Sequence, residues 1–160
     1  IVGKKEVMDY AQDTFMSSTF WTERSGPAAA LKTLEIMEKL KSWEIITRMG
    51  KYLNKKWLKI ANENNLDIKI NGLPSISKFE IQSKNAKAYK TFITQEMLKK
   101  GFLASSSVYL SVYHEKKVLN NYLDKLNDLF KIIKKCENEE KNIMDLLSYP
   151  IAKKPFKRLN

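Results

Sequence analysis

LDIKINGLPSISKFEIQ, residues 66–82, is the stretch on which the fold reading turns. Leu66 to Ile70 and Ser75 to Gln82 alternate apolar and polar residues with period two, the pattern of strands with one buried face. Between them Asn71-Gly72-Leu73-Pro74 reads as a turn: Gly reaches backbone conformations closed to other residues, and Pro fixes its own φ. Two neighbouring strands joined by so short a turn belong in an antiparallel pair.

On both sides of this pair the apolar period becomes helical. Upstream, Trp43, Ile46, Gly50, Leu53, Trp57 and Ile60 form one stripe of a long helix that Ser42 can cap and that fades at Asn62-Glu63-Asn64-Asn65. Trp43 and Trp57 are both expected in the core. Downstream, Ala86 to Lys100 is helical and stops at Gly101 as a left-handed cap. Phe102 to Val112 reads as a β-rich stretch interrupted by Ser105-Ser106-Ser107. From Glu115 a last helix is expected to bury Val118, Tyr122, Leu126, Leu129 and Ile133 before the charged run Lys134 to Lys141. The order describes an α+β unit with a small, mainly antiparallel sheet under helices.

The residues before it read differently. Ile1-Val2 suits the end of a buried strand closed by Gly3, Lys4 to Gln12 a short helix, and Asp13 to Ser25 a strand followed by a loop. A helix then begins at Gly26-Pro27, where Pro is favoured because its missing N–H would be unpaired anyway. Ala30, Leu34, Met37 and Leu40 would be its inward face. The expected division is 1–41 for this leading part and 42–160 for the α+β domain. Lys153 to Asn160 reads as an exposed basic tail.

Composition narrows the function classes. With 43% hydrophobic and 29% charged residues the chain is globular, not disordered. No apolar run is long enough to cross a bilayer, and the first residues lack a signal peptide's apolar core. A start at Ile1-Val2-Gly3 without Met suggests a piece of something longer. Cys136, the only cysteine, excludes an internal disulfide framework and fits a reducing cytoplasm. One His and one Cys argue against a transition-metal site. The net charge of +11 invites RNA or another anionic partner. Against that, Lys greatly outnumbers Arg, the residue that reads nucleic acid bidentately, and the aromatics lie at core spacing instead of interleaving with Lys. A non-catalytic basic binding module and a purely structural dimerisation domain are the rival readings to an enzyme.

SSTFWTERSGPAAAL, residues 17–31, carries the chemistry. Thr22 and Ser25 place hydroxyls just before a helix whose first N–H groups are unpaired and whose dipole favours an anion. Gly26 lets a ligand approach the backbone. A phosphate suits this mouth, but on spacing alone ordinary capping by Ser25 is the favoured explanation.

The stretch resembles the class III pyridoxal-phosphate-dependent aminotransferases, especially the glutamate-1-semialdehyde 2,1-aminomutase-like branch. That family sets a Thr five residues before a Pro, ahead of an Ala-rich helix; Thr22 stands so to Pro27, with Ser25-Gly26 replacing the usual Gly-Asn. IVGKKEVMD resembles the strand and helix after the family's cofactor-binding lysine. FITQEMLKKGFLASSSVYLSVYH resembles its C-terminal segment, so the likeness covers nearly the whole chain.

The resemblance implies the C-terminal part of a fold type I enzyme, usually a homodimer, with pyridoxal 5′-phosphate as cofactor and small-molecule amino donors and acceptors as substrates. Thr22 would reach across the dimer interface to the phosphate of the cofactor bound mainly by the other subunit. Thr19 is a second candidate, because Phe20-Trp21 leaves the register open. Ser107 and Tyr109, with Ser105 and Ser106, match the segment bordering the substrate entrance. The Schiff-base lysine and the Asp that pairs with the pyridinium nitrogen both lie upstream of Ile1, and Lys4 and Lys5 match surface positions. No catalytic residue is therefore expected here, and the 160 residues should be inactive alone. Mutase and transaminase stay undivided; the FWTER variant departs from the mutase turn, and an amino-sugar or related precursor also suits. His114 is expected to be structural, and Cys136 has no base nearby in sequence.

Overall fold

The computed structural model describes residues 3–14, 19–20 and 23–151, which divide into two compact units, residues 1–40 and 41–160. The strand expected at Ile1-Val2 and the basic tail lie outside the described residues, as do residues 15–18, Trp21 and Thr22.

In the first unit, α1 (Lys5–Met8) runs into a 3₁₀ segment, Asp9–Asp13. No strand occurs among the described residues of the 13–25 stretch. Helix α2 (Ser25–Leu40) starts at Ser25, one residue earlier than expected, and keeps Pro27 in its first turn. Its expected inward face is a correction. Ala30, Leu34, Met37 and Leu40 share a stripe, yet α2 buries no residue and Leu34 is 61% exposed. The period makes a stripe; burial needs a second layer, and the described residues of this unit supply none.

The second unit opens with α3 (Ser42–Glu63). Lys41 takes a left-handed conformation, φ 48°, at the N-cap, so Ser42 is a buried first residue of the helix and caps nothing. Trp57 is fully buried, but Trp43 is 47% exposed. Both lie near the Gly50 face; Trp43 stands about two turns before Gly50, where it is covered only in part.

Strands β1 (Ile68–Asn71), β2 (Ile76–Ile81) and β3 (Ser107–Tyr109) form one sheet in that order, antiparallel throughout. Ile68 pairs with Ile81 and Ile76 with Tyr109. Gly72, φ 93°, turns the chain between β1 and β2. Along β2, Ser77, Phe79 and Ile81 are buried while their neighbours are not, which gives the sheet one packed face. β3 is far shorter than the expected Phe102–Val112. The chain meets β2 where Phe79 N–H donates to the Ser106 carbonyl and leaves it where Leu110 N–H donates to the Ser75 carbonyl, each at 2.9 Å.

Helix α4 (Ala86–Lys99) ends at Gly101, φ 82°, as a left-handed stop. Its buried Gln95 clasps the C-terminal segment, donating to the Leu146 carbonyl at 3.0 Å and accepting from Ser148 N–H at 2.7 Å. Helix α5 (Lys116–Glu137) buries the expected stripe from Tyr122 to Ile133, with one correction: Leu119 is buried and Val118, at the stripe's edge, is 47% exposed. The core closes edge-to-face: the Trp57 and Phe79 rings lie 4.9 Å apart and Phe79 and Phe130 5.7 Å, joining α3, β2 and α5.

Candidate functional site

Two places carry the residues singled out in the sequence. The first is the mouth of α2. Thr19 is exposed, and Glu23 N–H donates to the Phe20 carbonyl at 3.3 Å. Ser25 Oγ donates to Glu23 Oε1 at 2.5 Å. The first turn of α2 holds no acidic side chain, and a Cβ at Gly26 would meet nothing within 4 Å. This mouth offers backbone and hydroxyl donors around open space, and a carboxylate already takes one of them. That donor set fits a phosphate, which would have to displace the Glu23 carboxylate from Ser25. Thr22, the first cofactor candidate, lies outside the described residues.

None of the described lysines, Lys4 and Lys5 included, is buried. A lysine activated by loss of solvent is therefore absent among them. Cys136 is buried, which pushes its thiol up and disfavours the thiolate a nucleophile needs. No group of His, Cys, Asp and Glu among the described residues is arranged to hold a metal ion.

The second place is a cleft of about 370 Å³ between the loop that follows α4, β3 and the start of α5. It brings Ser107 and Tyr109 together with His114, which sequence reasoning had set aside as structural. The ring does have a structural task. Its Nδ1 accepts the Ser111 N–H at 2.9 Å and lies 3.0 Å from Ser111 Oγ. A ring that accepts at Nδ1 carries its proton on Nε2, and Nε2 is left with no partner among the described residues. The signal available in the sequence was Ser111-Val112-Tyr113-His114 directly before a helix, a turn that orients the imidazole. Tyr122 lies under the cleft with its ring edge-on to Phe102, centroids 6.2 Å apart. The Trp57 N–H and the Tyr122 hydroxyl are both buried without a hydrogen-bond partner among the described residues, and burial pushes the phenol far up.

No family model matches the chain. It is 26% identical over 125 residues to a 3-aminobutyryl-CoA aminotransferase from Cloacimonas acidaminovorans, covering 78% of this chain and 30% of that protein. It is 28% identical over 148 residues to a glutamate-1-semialdehyde 2,1-aminomutase from Sulfurihydrogenibium azorense, covering 82% of this chain and 35% of that protein. Among solved structures, the PLP internal aldimine form of the FumI protein from Sphingopyxis sp. MTA144 superposes with a TM-score of 0.73 at 19% identity, covering 91% of this chain and 36% of that one. The fold is thus the α/β fold of part of a PLP-dependent enzyme. The chain is homologous to an aminotransferase and an aminomutase and spans about a third of the length of these curated relatives. The rival reading, a basic module for RNA, gains no support from them. No helix among the described residues is long and apolar enough to cross a membrane.

Proposed function

We propose that these residues are the C-terminal portion of a pyridoxal-phosphate-dependent aminotransferase or 2,1-aminomutase that acts on a small amino/keto or semialdehyde substrate in the cytoplasm. Residues 1–41 would end the large, cofactor-binding domain and 42–160 would form the small domain. The observation that carries this is the joint likeness to an aminotransferase and an aminomutase, over most of this chain and about a third of each relative.

In this reading the mouth of α2 holds the cofactor's phosphate. Thr22 and Thr19 donate hydroxyl hydrogen bonds, the first N–H groups of α2 add theirs, and Gly26 leaves the approach open. The enzyme would be a homodimer, with this loop serving the cofactor of the partner subunit. Ser107 and Tyr109 line the substrate entrance. Pyridoxal phosphate, when bound, supplies the electron sink for amino transfer. The chain's own residues bind and orient; the lysine that carries the cofactor comes from outside these 160 residues.

Equilibrium dialysis of pyridoxal phosphate against the gene product containing these residues, beside its Thr22→Ala variant, tests the reading. Loss of one hydrogen bond to a charged phosphate should weaken retention roughly tenfold to a hundredfold. Equal retention by both would remove Thr22 from the site.

A further inference from the structure

We propose that the cleft holding His114 binds a carboxylate at the end of a short aliphatic chain, with the His114 Nε2–H as its donor. This rests on the assignment of Ser107 and Tyr109 to the substrate entrance, and it specifies which part of the substrate they meet.

The cleft has the dimensions and chemistry of a small-molecule site. Its volume of about 370 Å³ lies at the lower end of the range of roughly 300–1,000 Å³ for such sites, which are mostly apolar with a few convergent polar groups. Phe102, Val108, Val118 and Leu119 supply apolar walls. Around it Leu103 is 96% exposed, Tyr109 72% and Val118 47%, so an aliphatic chain laid there would take apolar surface from water that the fold leaves open.

The polar groups are all suited to an acceptor. Ser111 consumes Nδ1 of His114, which leaves only the Nε2–H to meet a ligand. The Ser107 hydroxyl has no hydrogen-bond partner among the described residues and lines the same cleft. No Asp or Glu lines it; beside the lining residues in the chain stand Lys100 and Lys117 and, next to His114, Glu115. An anion therefore meets the Nε2–H and the Ser107 hydroxyl with no carboxylate in the lining, whereas an ammonium finds the imidazole presenting only a donor. A hydrogen-bond donor on an imidazole locked in one tautomer recognises a carboxylate and gains nothing from a plain hydrocarbon.

The test is an NMR titration of the gene product that contains these residues with hexanoate, hexan-1-ol and hexylamine, reading the His114 ring and the methyls of Val118 and Leu119. Hexanoate should give saturable shifts confined to the cleft, with the alcohol and the amine at least about tenfold weaker. His114→Phe should abolish the hexanoate preference. Because that change also removes the acceptor for Ser111 N–H, Val118→Glu is the second variant: this half-exposed position tolerates it, and it should expel hexanoate and recruit hexylamine. Absence of saturable hexanoate binding, equal binding of the three probes, or indifference to Val118→Glu would overturn the proposal. Failure here with pyridoxal phosphate still bound by the longer protein sinks only the cleft. Hexanoate binding in a protein that takes up no pyridoxal phosphate leaves a carboxylate site and removes its link to that substrate.

Discussion

Gly50 lies so close to Pro74 that a Cβ at position 50 would sit 1.8 Å from the Pro74 carbonyl oxygen and 2.3 Å from its carbon. The obstacle is backbone, so no side-chain rotation relieves it. Helix α3 thus seats itself directly on the β1–β2 turn, and the missing side chain sets the spacing between helix and sheet. Gly50→Ala must push the two apart. It should destabilise the chain by about 3 kcal/mol or more, at the upper end of overpacking costs, although alanine favours a helix. Urea denaturation checks this, and a variant as stable as the parent would show that the turn yields freely.

The two tryptophans of α3 should behave in opposite ways. Trp57 is fully buried against Phe79, so Trp57→Ala should cost about 3–5 kcal/mol in cavity and lost contacts. Trp43 is 47% exposed, so Trp43→Ala should cost only about 1 kcal/mol. Thermal unfolding of this chain and the two variants measures both. Equal costs would mean that Trp43 is covered.

Alkaline conditions should unfold the protein partly through Tyr89. Burial first, and then its hydrogen bond to the Glu137 carboxylate, push this phenol from its ordinary 10.0 up to about 12. The group must keep its proton when folded and loses it near its ordinary value when unfolded. Its contribution is therefore complete below pH 10.0 and is lost as the pH rises toward about 12. Tyr122, pushed the same way by burial, adds to the loss. Denaturation across that window should show stability falling with pH, less steeply in Tyr89→Phe. An unchanged slope in the variant would exclude Tyr89 as a source.

Much of the second unit was legible because its signals are local. The alternation of Ile68, Ile70, Ser77, Phe79 and Ile81 marks strands wherever they pack, and the Tyr122–Ile133 stripe marks a helix. Burial was less legible, since it depends on what lies opposite. Trp43 and Trp57 share a residue type and a helix, yet only one has the sheet and α5 beside it. Leu34 and Leu40 of α2 have a stripe's spacing and no covering layer among the described residues of their unit. The span of β3 was set by where Ser106 and Leu110 meet β2, a long-range fact. His114 was likewise hidden: its Ser111 turn is local, but its meeting with Ser107 and Phe102 comes only from the folding of β3 against α5.

The central claim is that these residues serve a pyridoxal-phosphate enzyme whose cofactor lysine lies upstream of Ile1. Borohydride reduction of the gene product that contains them, followed by the near-visible spectrum and peptide mapping, tests it most directly. The claim predicts a near-visible band that reduction removes, leaving the cofactor fixed on a lysine upstream of Ile1. A colourless protein that takes up no added pyridoxal phosphate, or a label fixed on a lysine within residues 1–160, would contradict it.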